Sequence, residues 1–133
     1  MESLVAYLLA AMLAWVPAGV QKAHEAPEEA QTRYEAIARD VAAVALDPDE
    51  TSIFAGPGGR ARTALVLLSV ASYESYFRKD VDEGTRLGDH ARSYCIEQIR
   101  VGDGTTREGW SGPDLIADRK RCVRARRRRL KQS

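Results

Sequence analysis

Residues 64–80, A-L-V-L-L-S-V-A-S-Y-E-S-Y-F-R-K-D, constrain the fold of this chain more than any other stretch. Their first half, 64–71, is apolar almost all round, and a helix of that kind must be enclosed by other elements rather than lie on a surface. The stretch therefore predicts a central buried helix over 64–80, which delivers one carboxylate, Glu74, to its far end. A chain of 133 residues is long enough to wrap one core around it.

The segments on either side supply the wrapping. In 32–46, Tyr34, Ile37, Val41 and Val44 fall on one face at helical spacing, with Arg33, Glu35, Arg39 and Asp40 elsewhere, so an amphipathic helix is expected there, stopped by Asp47-Pro48-Asp49. Residues 20–32 read as a polar linker that opens this helix. Residues 50–62 read as a loop broken by Gly56, Pro57, Gly58 and Gly59. That glycine cluster lacks the order of a phosphate-binding loop and follows no clear strand. Residues 81–112 carry scattered glycines, with β-type residues Tyr94, Ile96 and Ile99, and suggest a small irregular or β insert. Beyond 118, Cys122, Val123, Ala125 and Leu130 recur between arginines as a basic helix. The fold class expected is mainly α, with no internal repeat.

The chain opens on a run of 13 apolar residues, 4–16. This is shorter than the roughly 20 residues a membrane-spanning helix needs. Leu4, Tyr7, Leu8, Ala11, Met12 and Trp15 form a stripe at helical spacing, as in a helix docked on the domain. A secretory signal or anchor is the competing reading, although only Glu2 precedes the run and the site Val16-Pro17-Ala18 is a weak cleavage pattern. In that case the run would give membrane contact. Residues 1–19 are accordingly set apart from a domain at 20–133.

Charge is unevenly placed. Of the 20 Lys and Arg, nine fall in 119–133, which leaves 11 against 19 Asp and Glu in the rest. A basic end of this kind is either a solvated helix face or a contact for an anionic partner. Arg124, Arg126, Arg127, Arg128, Arg129 and Lys131 could meet nucleic acid, but no aromatic residues interleave with them for base stacking, so nucleic acid is not the expected partner. Cys95 and Cys122 would form one disulfide in an exported protein and remain thiols in the cytosol. His24 and His90 stand far apart in polar surroundings, and no metal site is expected.

Glu74 is the candidate for chemistry. It follows apolar turns and neighbours Tyr73, Tyr76 and Phe77. A carboxyl against apolar walls loses hydration and keeps its proton to higher pH, as a general acid near neutral pH must. Protonation of a glycosidic oxygen is one such task. The alternative is a carboxylate that simply faces water, at a helix C-terminus where negative charge is unfavourable.

Glu74-Ser75-x-Phe77, followed after a loop by Ser93-Tyr94-Cys95-Ile96-Glu97-Gln98-Ile99, resembles the pattern of the lytic transglycosylases, a helix ending E-S-x-F and then a segment of the G-L-M-Q-I type. These belong to the lysozyme-like superfamily with the goose-type lysozymes. The resemblance spans about residues 63–122. It implies a lysozyme-like helical domain in which Glu74 acts as acid and then base on the β-1,4 bond between N-acetylmuramic acid and N-acetylglucosamine, with no cofactor. Ser75 would support the site, and Tyr94, Gln98 and Ile99 would border the glycan strand. Cys95 and Cys122 would be joined, which implies the periplasm, the cell exterior or a phage particle. Three departures stand out. Glu97 occupies a position that is apolar in the family, and either faces the cleft as a second acid or disturbs the groove. His90-Ala91 replaces a common glycine. The A-Y-N-A-G-like element and the C-terminal helices that carry it are missing, as expected of a truncated or inactive relative. The alternative function is a non-catalytic peptidoglycan-binding or structural module of a phage or cell-envelope assembly.

Overall fold

The computed structural model describes residues 1–20 and 25–132. His24 lies outside that range. Among the described residues six helices and one hairpin follow in order: α1 (Glu2–Trp15), α2 (Pro27–Ala45), α3 (Gly59–Ser75), α4 (Lys79–Asp82), β1 (Ser93–Tyr94), β2 (Ile99–Arg100), α5 (Gly112–Ala117) and α6 (Arg119–Gln132). The mainly α class with a small β insert is what forms. The insert is a two-stranded antiparallel hairpin in which Ser93 pairs with Arg100 and Tyr94 with Ile99.

α2 is the hub, packed against α1, α3 and α6. Its buried side is the face expected from the sequence: Tyr34, Ile37, Ala38, Val41, Val44 and Ala45. It begins at Pro27 rather than 32, because Pro27 sits in the first turn, where its missing N–H costs nothing, and Glu28 and Glu29 add negative charge at the N-terminus.

α3 is displaced from its expected range at both ends. It starts at Gly59, inside the glycine cluster. A Cβ at Gly59 would stand 2.1 Å from the Phe54 carbonyl oxygen, and the preceding Gly58 has φ of 75°. The cluster is thus the tight entry to a helix. At the other end α3 stops at Ser75 rather than Asp80, because Tyr76 and Phe77 adopt left-handed conformations (φ 51° and 53°). Asp80 belongs to the short α4 instead. Within α3, Ala64, Leu67, Leu68 and Ala71 are fully buried, while Leu65, Val66 and Val70 are only partly covered, so the apolar segment is enclosed on one side rather than all round.

α1 docks on α2 and α3. Its buried stripe is Val5, Leu8, Met12 and then Val16, rotated from the expected one, so that Tyr7 and Trp15 face solvent. Tyr34 fixes the end of α1 by donating its hydroxyl to the Val16 carbonyl oxygen at 2.9 Å. No described helix is long and apolar enough to cross a membrane.

The basic end is the largest departure from the sequence expectation. It forms one helix, α6, as expected beyond residue 118, and the short α5 before it is capped by the Ser111 hydroxyl, which accepts from the Asp114 amide. The α6 cations are not displayed to solvent as a patch. Arg119 bridges Asp40 and Asp82, and Arg128 bridges Glu50 and Glu108. Arg126 donates to the Glu97 carbonyl oxygen at 2.6 Å, and Lys131 to that of Thr51 at 3.2 Å. Arg127 is 1% exposed and donates to the carbonyl oxygens of Val44, Glu50 and Thr51. Arg60 reaches the neighbouring carbonyls of Ala45 and Asp47. A helix end leaves its last carbonyls without partners, and here two guanidinium groups supply them for α2.

Truncating Arg127 should leave these buried acceptors unpaired. Arg127→Met is expected to lose about 3–5 kcal/mol of stability in a urea titration, whereas the exposed Arg107→Ala should change it by under about 0.5 kcal/mol. Equal midpoints for the two variants would refute the role given to Arg127.

Candidate functional site

Two elements carry the expected site residues, the C-terminal turn of α3 and the β1–β2 hairpin. The α3 end is built by Ser75 and Phe77. Ser75 is buried, and its hydroxyl donates to the Ala71 carbonyl at 2.7 Å and accepts from the Phe77 amide at 3.3 Å. The left-handed pair Tyr76–Phe77 then turns the chain so that Phe77 is fully buried, edge-on to Tyr34 with ring centroids 5.4 Å apart. Ser75 and Phe77 thus act as anchors that end the helix just after Glu74. Ser75 has no free face toward a ligand.

Glu74 itself is exposed. The aromatic wall expected around it does not close: Tyr73 is 84% and Tyr76 62% exposed, and Phe77 points into the core. Tyr73 and Tyr76 instead border an open groove with Trp15, Ser69 and Ser72.

The hairpin runs opposite to the usual habit of such loops, whose tips lie in solvent. Its connecting residues 95–98 are tucked inward, with Cys95, Ile96 and Glu97 all buried. Cys95 is joined to Cys122 of α6 by a disulfide, with Cα atoms 6.3 Å apart. The Gln98 amide closes the turn on the Cys95 carbonyl at 2.9 Å, and the Gln98 side-chain Nε2 donates to the same oxygen at 2.8 Å. Cys95 and Gln98 both have positive φ, 66° and 50°, a strained state for residues with side chains.

The residues expected to line a groove are thus distributed by packing. Gln98 is half-buried, and its Oε1 occupies the space above Gly88, where a Cβ would stand 2.0 Å away. Tyr94 lays its ring on Gly112 at the start of α5, a position that tolerates no Cβ (2.3 Å). Ile99 is fully buried in the core and presents no side chain to a ligand.

Glu97 is the residue whose place the sequence did not disclose. It neither faces an open cleft nor stands in a groove. It is 0% exposed, and neither carboxyl oxygen has a hydrogen-bond partner. Burial pushes its carboxyl well above the ordinary range, the nearby Arg126 pulls it partly back, and the charge of Glu74 raises it again. The carboxyl held in low-dielectric surroundings is therefore Glu97, while the exposed one is Glu74. The two are close enough to interact electrostatically. The available sequence signal was an acid set between Ile96 and Ile99, two residues that must be buried for the hairpin to dock.

Among the described residues no group of His, Cys, Asp and Glu is arranged to hold a metal ion. Comparison of the chain with protein-family models, with curated proteins and with solved structures finds no match.

The Glu97 environment makes stability depend on pH. In the unfolded chain its carboxyl ionises near 4.5, whereas the folded protein holds the proton to higher pH. Above about pH 4.5 the folded state therefore binds more protons than the unfolded one, and stability falls as pH rises until the folded carboxyl ionises. Glu97→Gln lacks this loss. Urea denaturation between pH 4 and pH 8 should show the variant gaining on the wild type steadily as pH increases. Parallel curves would show that Glu97 is not held neutral.

Proposed function

We propose that this chain acts on peptidoglycan glycan strands, with Glu74 as the single group that exchanges protons with the substrate. The observation that carries this reading is the placement of Glu74. A left-handed break ends α3 one residue beyond it, the buried Ser75 and Phe77 hold that helix end in place, and the Glu74 carboxylate is exposed there. The arrangement supports a lysozyme-like helical domain of the lytic transglycosylase type, in which residues 20–133 carry the site.

In this reading a protonated Glu74 donates its proton to the glycosidic oxygen as the C1–O bond to N-acetylmuramic acid breaks. The Glu74 carboxylate then accepts the proton of the sugar's own 6-hydroxyl as that oxygen attacks C1, which closes a 1,6-anhydro ring and returns Glu74 to its starting state. No cofactor takes part. The open groove lined by Trp15, Ser69, Ser72, Tyr73 and Tyr76 offers pyranose rings flat apolar partners in Trp15 and Tyr73. The Cys95–Cys122 disulfide supports an oxidising destination such as the periplasm, the cell exterior or a phage particle. Nucleic acid is disfavoured as a partner, because the α6 arginines are engaged with carboxylates and backbone carbonyls of the same chain.

The exposure of Glu74 favours a second reading, a non-catalytic module that holds peptidoglycan within a phage or envelope assembly. The two readings separate in one experiment. Purified protein and Glu74→Gln are incubated with insoluble cell-wall sacculi, and turbidity and soluble muropeptides are followed. A catalytic Glu74 predicts release by the wild type that falls by about 10²–10⁴-fold in the variant. Equal release by both would remove Glu74 from the chemistry. Co-sedimentation of both proteins without release would establish the binding module.

A further inference from the structure

The contact between the hairpin loop and α6 carries opposing forces. Ile96 and Ile99 are fully buried, which favours the docked loop, and Arg126 donates to the Glu97 carbonyl oxygen at 2.6 Å. Against docking stands the Glu97 side chain, wholly buried and with neither carboxyl oxygen hydrogen-bonded. On the α6 side of the contact, the buried Nε of Arg126 also lacks a partner. A buried polar group without a hydrogen bond costs about as much as a buried aliphatic side chain gains. The backbone adds to the cost, because Cys95 and Gln98 both hold left-handed conformations, with φ of 66° and 50°. Undocking would return the Glu97 carboxyl and the Arg126 Nε to water and let both residues relax.

One further bond crosses the same contact. Cys95 of the loop is joined to Cys122 of α6, 27 residues on. Cys122 and Arg126 stand one turn apart on α6, so the sulfur and the guanidinium group reach the loop from one face. A cross-link of this span removes conformational freedom from the open state and so tips a near-balanced contact toward docking.

We propose that the Cys95–Cys122 bond is a redox latch on residues 95–98: with the bond formed the loop docks on α6, and with the two thiols free it swings out and carries Glu97 into water while the helical body stays folded. The body does not depend on the latch. α6 is held to α2 and the loop after it by Arg127 on the Val44, Glu50 and Thr51 carbonyls, and Arg119 ties it to Asp40 and Asp82. Latching is a thiol–disulfide exchange. The Cys95 and Cys122 thiols give up two protons and two electrons as one sulfur–sulfur bond forms between them, and the disulfide of an oxidised thiol partner is cleaved to two thiols. The chain then has two surfaces, one that displays Glu97 in a reducing compartment and one that hides it in an oxidising compartment. The latch stands apart from the peptidoglycan reading, because docking is measured with no glycan present.

Hydrogen exchange read by mass spectrometry tests the latch on the wild type and Glu97→Leu, each oxidised and reduced. Both cysteines are buried in the docked loop, so the reduced forms are prepared by refolding under a phosphine. The oxidised wild type is expected to protect residues 93–101, and the reduced wild type to exchange there about 10²-fold faster, with α2 and α6 unchanged. Oxidised glutathione should restore the slow pattern. Reduced Glu97→Leu should stay protected, because an aliphatic side chain removes the cost of docking. Equal exchange of residues 93–101 in the two oxidation states of the wild type would overturn the latch. So would loss of protection throughout α2 and α6 on reduction, which would make the bond a staple of the whole fold. Fast exchange in reduced Glu97→Leu would overturn the part given to Glu97.

Discussion

The Arg127 guanidinium holds the rest of the structure in place. It is buried at the point where α2 ends, and it takes three carbonyl oxygens from two segments, Val44 in the last turn of α2 and Glu50 with Thr51 in the loop that follows. Burial works against its charge, and the Glu50 carboxylate, 3.3 Å from its Nε, works for it. Each of these oxygens would otherwise be a polar group without water or partner. With Arg127 in place, α6 becomes the third neighbour of α2, and the face of α2 that carries Val41, Val44 and Ala45 is covered. Once α6 is fixed, so is Cys122, and through Cys122 and Arg126 the hairpin loop is drawn inward.

This chain of dependence explains why the site has its shape. The hairpin would ordinarily present its tip to solvent. It is turned in because α6 offers a sulfur and a guanidinium group on the inner side. Glu97 is carried into the core as a consequence, while at the end of α3 the Ser75 hydroxyl and the left-handed Tyr76–Phe77 turn stop the helix beside Glu74. The acidic body and basic end of the sequence are thereby resolved inside the molecule. Asp40 and Asp82 meet Arg119, Asp47 meets Arg124, and Glu50 and Glu108 meet Arg128. Loosely held surface pairs contribute little on their own. Those reaching buried carbonyls contribute by satisfying acceptors that have no other partner.

The sequence disclosed those parts of the fold that depend on hydrophobic periodicity. The buried face of α2 could be read residue by residue, because Tyr34, Ile37, Val41 and Val44 recur at 3.6-residue spacing with charges elsewhere. The ends of α3 could not. Glycine at 58 and 59 signals a break, yet here it permits close approach to Phe54 and starts the helix. Tyr76 gives no local sign of a left-handed conformation, which is imposed by Phe77 seeking the Tyr34 ring. The α1 stripe is rotated from the expected one for a related reason: in a run with hardly any polar residues, periodicity does not choose between Val5 and Tyr7 and only packing does. The basic helix was legible as a helix, but the partners of its arginines lie far off in sequence, 29 residues for Arg126 and Glu97 and 83 for Arg127 and Val44, and no local pattern encodes them. For the same reason local sequence left both carboxyls open: Glu74 between apolar walls and water, Glu97 between the cleft and a disturbed groove. Glu74 has aromatic neighbours in sequence and solvent in space, while Glu97 owes its burial to Cys122 and Arg126.

The Glu97 carboxyl, buried and without a hydrogen-bond partner, holds its proton to higher pH than an exposed glutamate does. Infrared difference spectroscopy of the wild type against Glu97→Gln over a series of rising pH values observes that group directly, because a protonated carboxylic acid and a carboxylate absorb in separate regions. The expected result is a protonated carboxyl band in the wild type that persists after the exposed acids have ionised and is absent in Glu97→Gln. Spectra in which every carboxyl band of the wild type is lost over the same pH range as in Glu97→Gln would contradict it.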